Sequence, residues 1–420
     1  MFGNLAAVIS GTAAAQAVVF AFSPLITRIY SPEIFGLQGV FLSLISILSP
    51  VIALRYPMAI VVANDEGDVQ HLSRLAILIA FALSVLLALA LALGQRPVSV
   101  LLDAEGLGLL IWFLPLALFS VALQDVADFR AVRSGDFRLV GKVTVAQAFL
   151  ANLARVLGGL AFPSAATLVV VTSIAPTLQA LMLTWGGRKT RSARGPTTTR
   201  GKARALLRAH RDFPLFRMPT DVLNAASQAM PVILLTSLFS PAAAGLYALT
   251  RSVLNLPTNI IGAAMGNVIY ARFADLAREN RSVTPLLLRS TAALLLLTPP
   301  ILAATWFAPT VFAFVFGEEW RGAGVYARWM ALWIGIALAN IPAVKLAPVI
   351  KAQAYLLVAN ILMLALRVVS IVWVARLNGT AGMAVAAFSV ASAFGNAGLI
   401  GGMMIAARRY ENARRRMTFI

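Results

Sequence analysis

The chain has 420 residues, 60% of them apolar and only 12% charged, with a formal net charge of +19. A soluble domain carries roughly twice that charged fraction. Cysteine is absent, which excludes disulfides, iron–sulfur clusters and thiol catalysis, and His71 and His210 fall in hydrophilic stretches, so neither a metal nor any other cofactor is expected.

Apolar runs of about 20 residues recur instead, the length an α-helix needs to cross a ~30 Å hydrocarbon core. The first, Leu5–Ile26, has the apolar heart of a signal peptide but no basic residues ahead of it, and reads as an uncleaved span. Further runs fall near Phe35–Leu54, Leu75–Leu93, Leu107–Val126, Val143–Phe162 and Ala166–Leu183. After the basic stretch RKTRSARGPTTTRGKARALLRAHR (188–211), six more lie near Phe213–Phe239, Leu246–Val268, Leu286–Phe316, Tyr326–Leu346, Ala354–Val374 and Gly382–Ile405. The expected fold is an all-α integral membrane protein of twelve transmembrane helices. Residues 1–187 form an N-terminal six-helix lobe, 188–211 a basic inter-lobe linker, 212–406 a C-terminal six-helix lobe and 407–420 a basic tail. As a plain tether the linker lies on the anionic cytoplasmic leaflet.

Charge gives the orientation. Segments after even-numbered runs hold twenty-three basic residues, whereas those after odd-numbered runs hold Arg28, Arg96, Arg321 and Arg376 alone. Basic residues stay on the cytoplasmic side, so both termini are placed there. The chain also repeats itself: ITRIYSPEIFGLQGVFLSLISILS (26–49) aligns with LTSLFSPAAAGLYALTRSVLNLPT (235–258) at an offset of 209, half the chain. Two like-oriented repeats form a transporter architecture, with the substrate site expected in a central cavity between the lobes.

Some charges fall inside the apolar runs. An arginine at the bilayer centre costs roughly 2.5–3.5 kcal/mol even on the lenient insertion scale, so one that persists there faces a cavity or a partner. By this reading Arg251, Arg155 and Arg367 are deep. Arg251, Asn255 and Asn259 recur every fourth residue and form one helical stripe; Asn224 and Gln228 form a shorter one. A guanidinium suits a phosphate through its two-pronged donor geometry, and amides suit sugar hydroxyls. The same residues also serve as interhelical hydrogen-bonding groups. Arg28, Arg55, Arg328 and Lys345 lie nearer run ends, where snorkelling to headgroups is the simpler account. Asp125 and Asp128 pair by default with Arg130. Asp221 is the acid best placed for proton or sodium coupling.

Four stretches resemble the polysaccharide (Wzx-like) flippase family of the multidrug/oligosaccharidyl-lipid/polysaccharide superfamily. They are SPLITRIYSPEIFG (23–36), LRYPMAIVVANDEGD (54–68), FPLFRMPTDVLNAASQAMPVILLTSLFSPAAAGLYALTRSVLNLP (213–257) and FGEEWRGAGVYA (316–327). Where that family usually has an acid after the Arg-Tyr pair, this chain has Pro57. The resemblance implies two lobes around a V-shaped cavity and a cargo of oligosaccharide on undecaprenyl diphosphate. It further implies that Arg251, Arg55 and Arg28, which fall in the matching stretches, contact the diphosphate; depth in the apolar runs adds Arg155 and Arg367 as candidates, and the amides of Asn255, Asn259, Asn224 and Gln228 are left for the sugars.

Two rival classes remain. A membrane glycosyltransferase or polymerase needs acid/base or metal-binding carboxylates, usually on a long outward loop. Here the outward loops are short, and Glu318-Glu319 is their one acidic cluster. A cation-coupled multidrug exporter expects deep carboxylates, and this chain offers deep arginines. The expected protein is thus a non-enzymatic multi-pass transporter of the bacterial inner membrane. Its partners are the lipid-linked oligosaccharide, membrane lipids and the polymerase and glycosyltransferases of the same pathway, with no nucleic acid.

Overall fold

The computed structural model describes the backbone of residues 2–63, 65–94, 105–187, 200–279 and 281–418, and the side chains of 10–63, 65–94, 107–187, 205–256, 258, 262, 265–266, 268–279 and 281–414. Among these residues every regular element is helical. Contacts divide the chain into two units, Met1–Ile233 and Leu234–Ile420.

The first unit holds α1 (Phe2–Ile29), α2 (Pro32–Ile52), the short α3 (Tyr56–Val62), α4 (Glu66–Leu93), a 3₁₀ stretch Glu105–Phe113, α5 (Leu114–Arg133), α6 (Phe137–Ala161) and α7 (Ala165–Gly186). Pro57 lies in the first turn of α3 and has no N–H with which to continue a helix from α2. The chain turns through Leu54 (φ 49°) and Arg55 (φ 57°), two left-handed residues in succession, at a cost of about 1–2 kcal/mol each. Helix α3 ends at Val62, which leaves its last carbonyls open, and Arg133, in the last turn of α5, donates from one guanidinium nitrogen to Ile60 O, Val61 O and Ala63 O (3.2, 3.1 and 2.7 Å).

Helix directions follow from the contacts. Gly11 meets the Gly141 backbone, and Ile29 and Tyr30 meet Gly159, so α1 and α6 run parallel. A methyl group on Gly11 has no room against that backbone. Thr177 donates to Ser120 (2.9 Å) and Gln179 to Asp128 (3.1 Å), making α5 and α7 parallel too. Helix α8 (Arg200–Ala209) follows. It buries Leu206 against α3 and α4, with Leu207 beside it, and the Tyr56 hydroxyl donates to Leu207 O (3.4 Å). The second half of the basic linker is therefore a docked amphipathic helix rather than the tether expected; residues 188–199 lie outside those described.

A π-turn, Phe213–Arg217, leads into α9 (Met218–Leu238), and the division between units falls inside this helix. The second unit continues with α10 (Pro241–Arg278), α11 (Thr284–Leu295), α12 (Thr298–Trp306), α13 (Ala308–Phe316), α14 (Arg321–Ala339), α15 (Ile341–Leu346), α16 (Gln353–Arg376) and α17 (Ala381–Thr418). The long run expected at Leu286–Phe316 is three helices, each restarting with a proline in its first turn, a position where the missing N–H costs nothing. Here α10 and α14–α15 run parallel (Thr250 to Ala323 O, 2.8 Å; Gly262 beside Ile341; Gly266 beside Lys345). Helices α14–α15 and α17 do likewise (Tyr326 beside Gly382; Asn340 to Asn396, 2.9 Å).

The repeated segments 26–49 and 235–258 take one local structure: a helix end, a serine N-cap (Ser31, Ser240), proline at the first helical position and the next helix. At the far end of the second unit, α17 runs on as helix through the expected tail. Glu411 there accepts from Ser282 Oγ, Val283 N and Thr284 N (2.7, 2.8 and 2.8 Å), capping α11.

Among the described residues ten segments are long and apolar enough to cross a bilayer, six within residues 10–186 and four within 284–414. Helices α9 and α10 are not among them. They hold Asp221, Asn224 and Gln228, and Arg251, Asn255 and Asn259 respectively, so the shortfall from twelve falls on the two helices that carry the expected polar stripes.

Candidate functional site

Two clusters gather the expected site residues, one in each unit. In the first, the left-handed turn at Arg55 swings its guanidinium away from α2. Arg55 Nε lies 2.8 Å from Asp221 Oδ2, and its NH1 lies 3.7 Å from Asp125 Oδ2. Arg217 Nε reaches the same Asp221 oxygen at 3.1 Å. Two arginines and two aspartates thus form a neutral quartet tying the start of α9 to α3 and α5. Asp128, one turn beyond Asp125, accepts from Gln124 and Gln179.

The second cluster is aromatic and cationic. Arg367, near the middle of α16, donates to Ser392 Oγ (2.9 Å) and stacks 5.7 Å from the Trp333 ring and 5.6 Å from the Phe388 ring. Phe388 in turn packs edge-on against Tyr247 (5.9 Å) and Trp333 (6.1 Å). Arg251 lies one turn beyond the buried Tyr247, on the same face of α10. Arg251 lies ten residues into α10, about 15 Å along its axis. One turn further on, Asn255 lines a cavity of about 380 Å³, shared with Thr258, Trp333, Asn340 and Lys345, and no acidic side chain is among its described lining residues.

The remaining candidates stand apart. Arg155 lies six residues before the end of α6, roughly 9 Å from it. It donates to Asn152 (3.1 Å), and its carbonyl accepts from the Tyr30 hydroxyl (2.8 Å). Arg28 is exposed in the last turn of α1. Asn224 and Gln228 are both exposed on α9. The Asn259 side chain lies outside the described residues. Sequence reasoning missed Asp125 and Arg217 as partners of the Arg55–Asp221 pair, and Tyr247, Trp333 and Asn340 as neighbours of the stripe on α10. A polar residue inside an apolar run was the available signal for Asn340; nothing local marked the others.

A family model described as polysaccharide biosynthesis protein matches residues 25–324. The chain belongs to that family. The succinoglycan biosynthesis transport protein ExoT of Rhizobium meliloti (strain 1021) is 22% identical over 320 residues, which is 76% of this chain and 63% of that one, so the match spans less than two thirds of the relative. Among solved structures, the lipid II flippase MurJ in an inward closed conformation superposes with a TM-score of 0.74 at 10% identity, over 98% of this chain and 91% of that one. An inward-facing multidrug resistance MATE family transporter of the MOP superfamily gives 0.66 at 12% identity, over 96% of each chain. At such identities the likeness is one of fold. The family member described here is a multi-pass, all-helical membrane protein with the fold of those transporters.

Proposed function

We propose that this chain is a flippase that carries undecaprenyl-diphosphate-linked oligosaccharide from the cytoplasmic to the periplasmic leaflet of the bacterial inner membrane. It works by alternating access and without bond chemistry. The observation that carries the reading is the placing of two arginines, Arg251 one helical turn from Tyr247 and Arg367 stacked on Phe388 and Trp333, near a cavity whose described lining holds no carboxylate. Such a place favours an anion, whereas an exporter of cationic drugs needs the opposite charge. The polysaccharide biosynthesis family fixes the biological setting, and a lipid-linked sugar diphosphate is an anion that belongs in it.

In this reading α9 and α10 are the seventh and eighth spans. Twelve crossings with both termini inside agree with the parallel packing of α1 on α6, of α5 on α7, and of α10 on α14–α15. The purified protein in liposomes should move a fluorescent lipid-linked oligosaccharide between leaflets and return it with unchanged mass. A new glycosidic bond, or free diphosphate, would replace the flippase with an enzyme.

A further inference from the structure

The cavity in the second unit is more specific than a general anion site. Its cation is Lys345, one of five lysines in a chain with 30 arginines. Gly266 is what admits it: a methyl there stands 3.0 Å from the lysine Cε, so the stem lies along bare backbone of α10. The half-buried ammonium has no carboxylate within ion-pair distance among the described residues. A shielded charge of that kind calls for a counter-charge.

Around it the wall is built for hydroxyls. Asn396 donates to Ser392 O (2.8 Å), which turns its own Oδ1 toward Asn340 Nδ2. That leaves Asn340 Oδ1 buried without a hydrogen bond, and Trp333 Nε1 is in the same condition. Both residues line the cavity, and a buried polar atom without a hydrogen bond is uncommon in folded proteins. Asn255 adds an amide, Thr258 a hydroxyl oxygen and Trp333 a flat ring face. The volume is at the small end of ligand sites.

We propose that this cavity binds a hydroxyl-rich anion, a hexose-sized group bearing a carboxylate or a phosphate, with the anionic group on Lys345. The sugar hydroxyls meet Asn255, Thr258 and Asn340, and the ring lies against Trp333. The inference rests on the flippase reading in taking this group to be part of the glycan cargo. The flippase would then select for an acidic or phosphorylated sugar at a point separate from the diphosphate.

Saturation-transfer NMR on the purified protein in neutral detergent tests this without transport. Glucuronate and glucose 1-phosphate should give signal, glucose at least tenfold less, and inorganic phosphate or phosphatidylglycerol should compete poorly. Lys345→Met should remove the preference for the sugar anions, and Thr258→Val, a milder change, should weaken both by several fold with the gel-filtration profile unchanged. Equal binding of glucose, full competition by phosphate or by the anionic lipid, or an unaltered preference in Lys345→Met would each overturn the proposal. Relocation of lipid-linked glycan in liposomes is scored separately. Its loss with sugar binding intact counts against the flippase reading alone, and relocation with no sugar binding counts against this site alone.

Discussion

Arg251 and Arg55 carry the same charge in different company. Arg251 lies one turn from Tyr247 on α10 and one turn before Asn255 in the cavity wall, whereas Arg55 sits 2.8 Å from Asp221. Arg251→Ala should therefore abolish complementation of a flippase-deficient strain at normal membrane abundance. Arg251→Lys should keep part of it, because an ammonium retains charge and loses the two-pronged geometry. For Arg55 the expectation differs. A double-mutant cycle of Arg55→Ala with Asp221→Asn, read by thermal stability in detergent, should show a coupling of about 0.5–3 kcal/mol, the range for residues in one ion-pair network. Coupling near zero means the pair is incidental. The contrast was not legible in the sequence. Residues 55 and 221 are 166 positions apart, and no local pattern reports which carboxylate a guanidinium meets. Lys345 shows the same limit: near a run end it read as a snorkelling side chain, and only the approach of Gly266 shows its stem confined against α10.

At the scale of elements, hydropathy was enough for the six spans of the first unit, because length and apolarity suffice to define them. It was not enough for the breaks at Leu54–Arg55, at Leu296–Leu297 and at Phe307, where backbone geometry around prolines decides. Nor did it show α8 as docked. Leu206-Leu207 amid basic residues has the pattern of an amphipathic helix, but the partner surface on α3 and α4 forms only on folding. Burying a leucine is worth roughly 1.5–3 kcal/mol, so Leu206→Asp should release α8. The chain has no native cysteine, which leaves a clean background for thiol labelling. A lone Leu207→Cys should react slowly with a maleimide, and at least tenfold faster when Leu206→Asp is added. Equal rates would mean that α8 is not held.

For the whole molecule, two expectations follow from the twelve-span reading. Reporter fusions after Phe162, Ser240 and Arg376 should report the outside, and those after Lys142, Arg200 and Ile420 the inside; one exchanged site sinks the count. Moving a unit charge across the membrane is worth ~2.3 kcal/mol per 100 mV. A cargo carrying two uncompensated negative charges then gains about 4.6 kcal/mol per 100 mV from an inside-negative potential. Relocation in liposomes should accelerate when a potassium gradient with valinomycin sets that potential, with no sodium or proton gradient. A rate indifferent to potential and dependent on one ion would assign the drive to coupling, with Asp221 the first carboxylate to neutralise.

The parallel seating of α1 on α6 also sets a clock for biogenesis. Gly11 meets Gly141, and a ribosome adding about 5–20 residues per second needs about 7–26 s to make the intervening 130 residues. For that interval α1 is already threaded while its partner is not yet made, with its glycine face turned to lipid or to whatever insertion machinery shelters it. Nascent chains stalled before α6 should accordingly be far more sensitive to membrane proteases than chains stalled just after it.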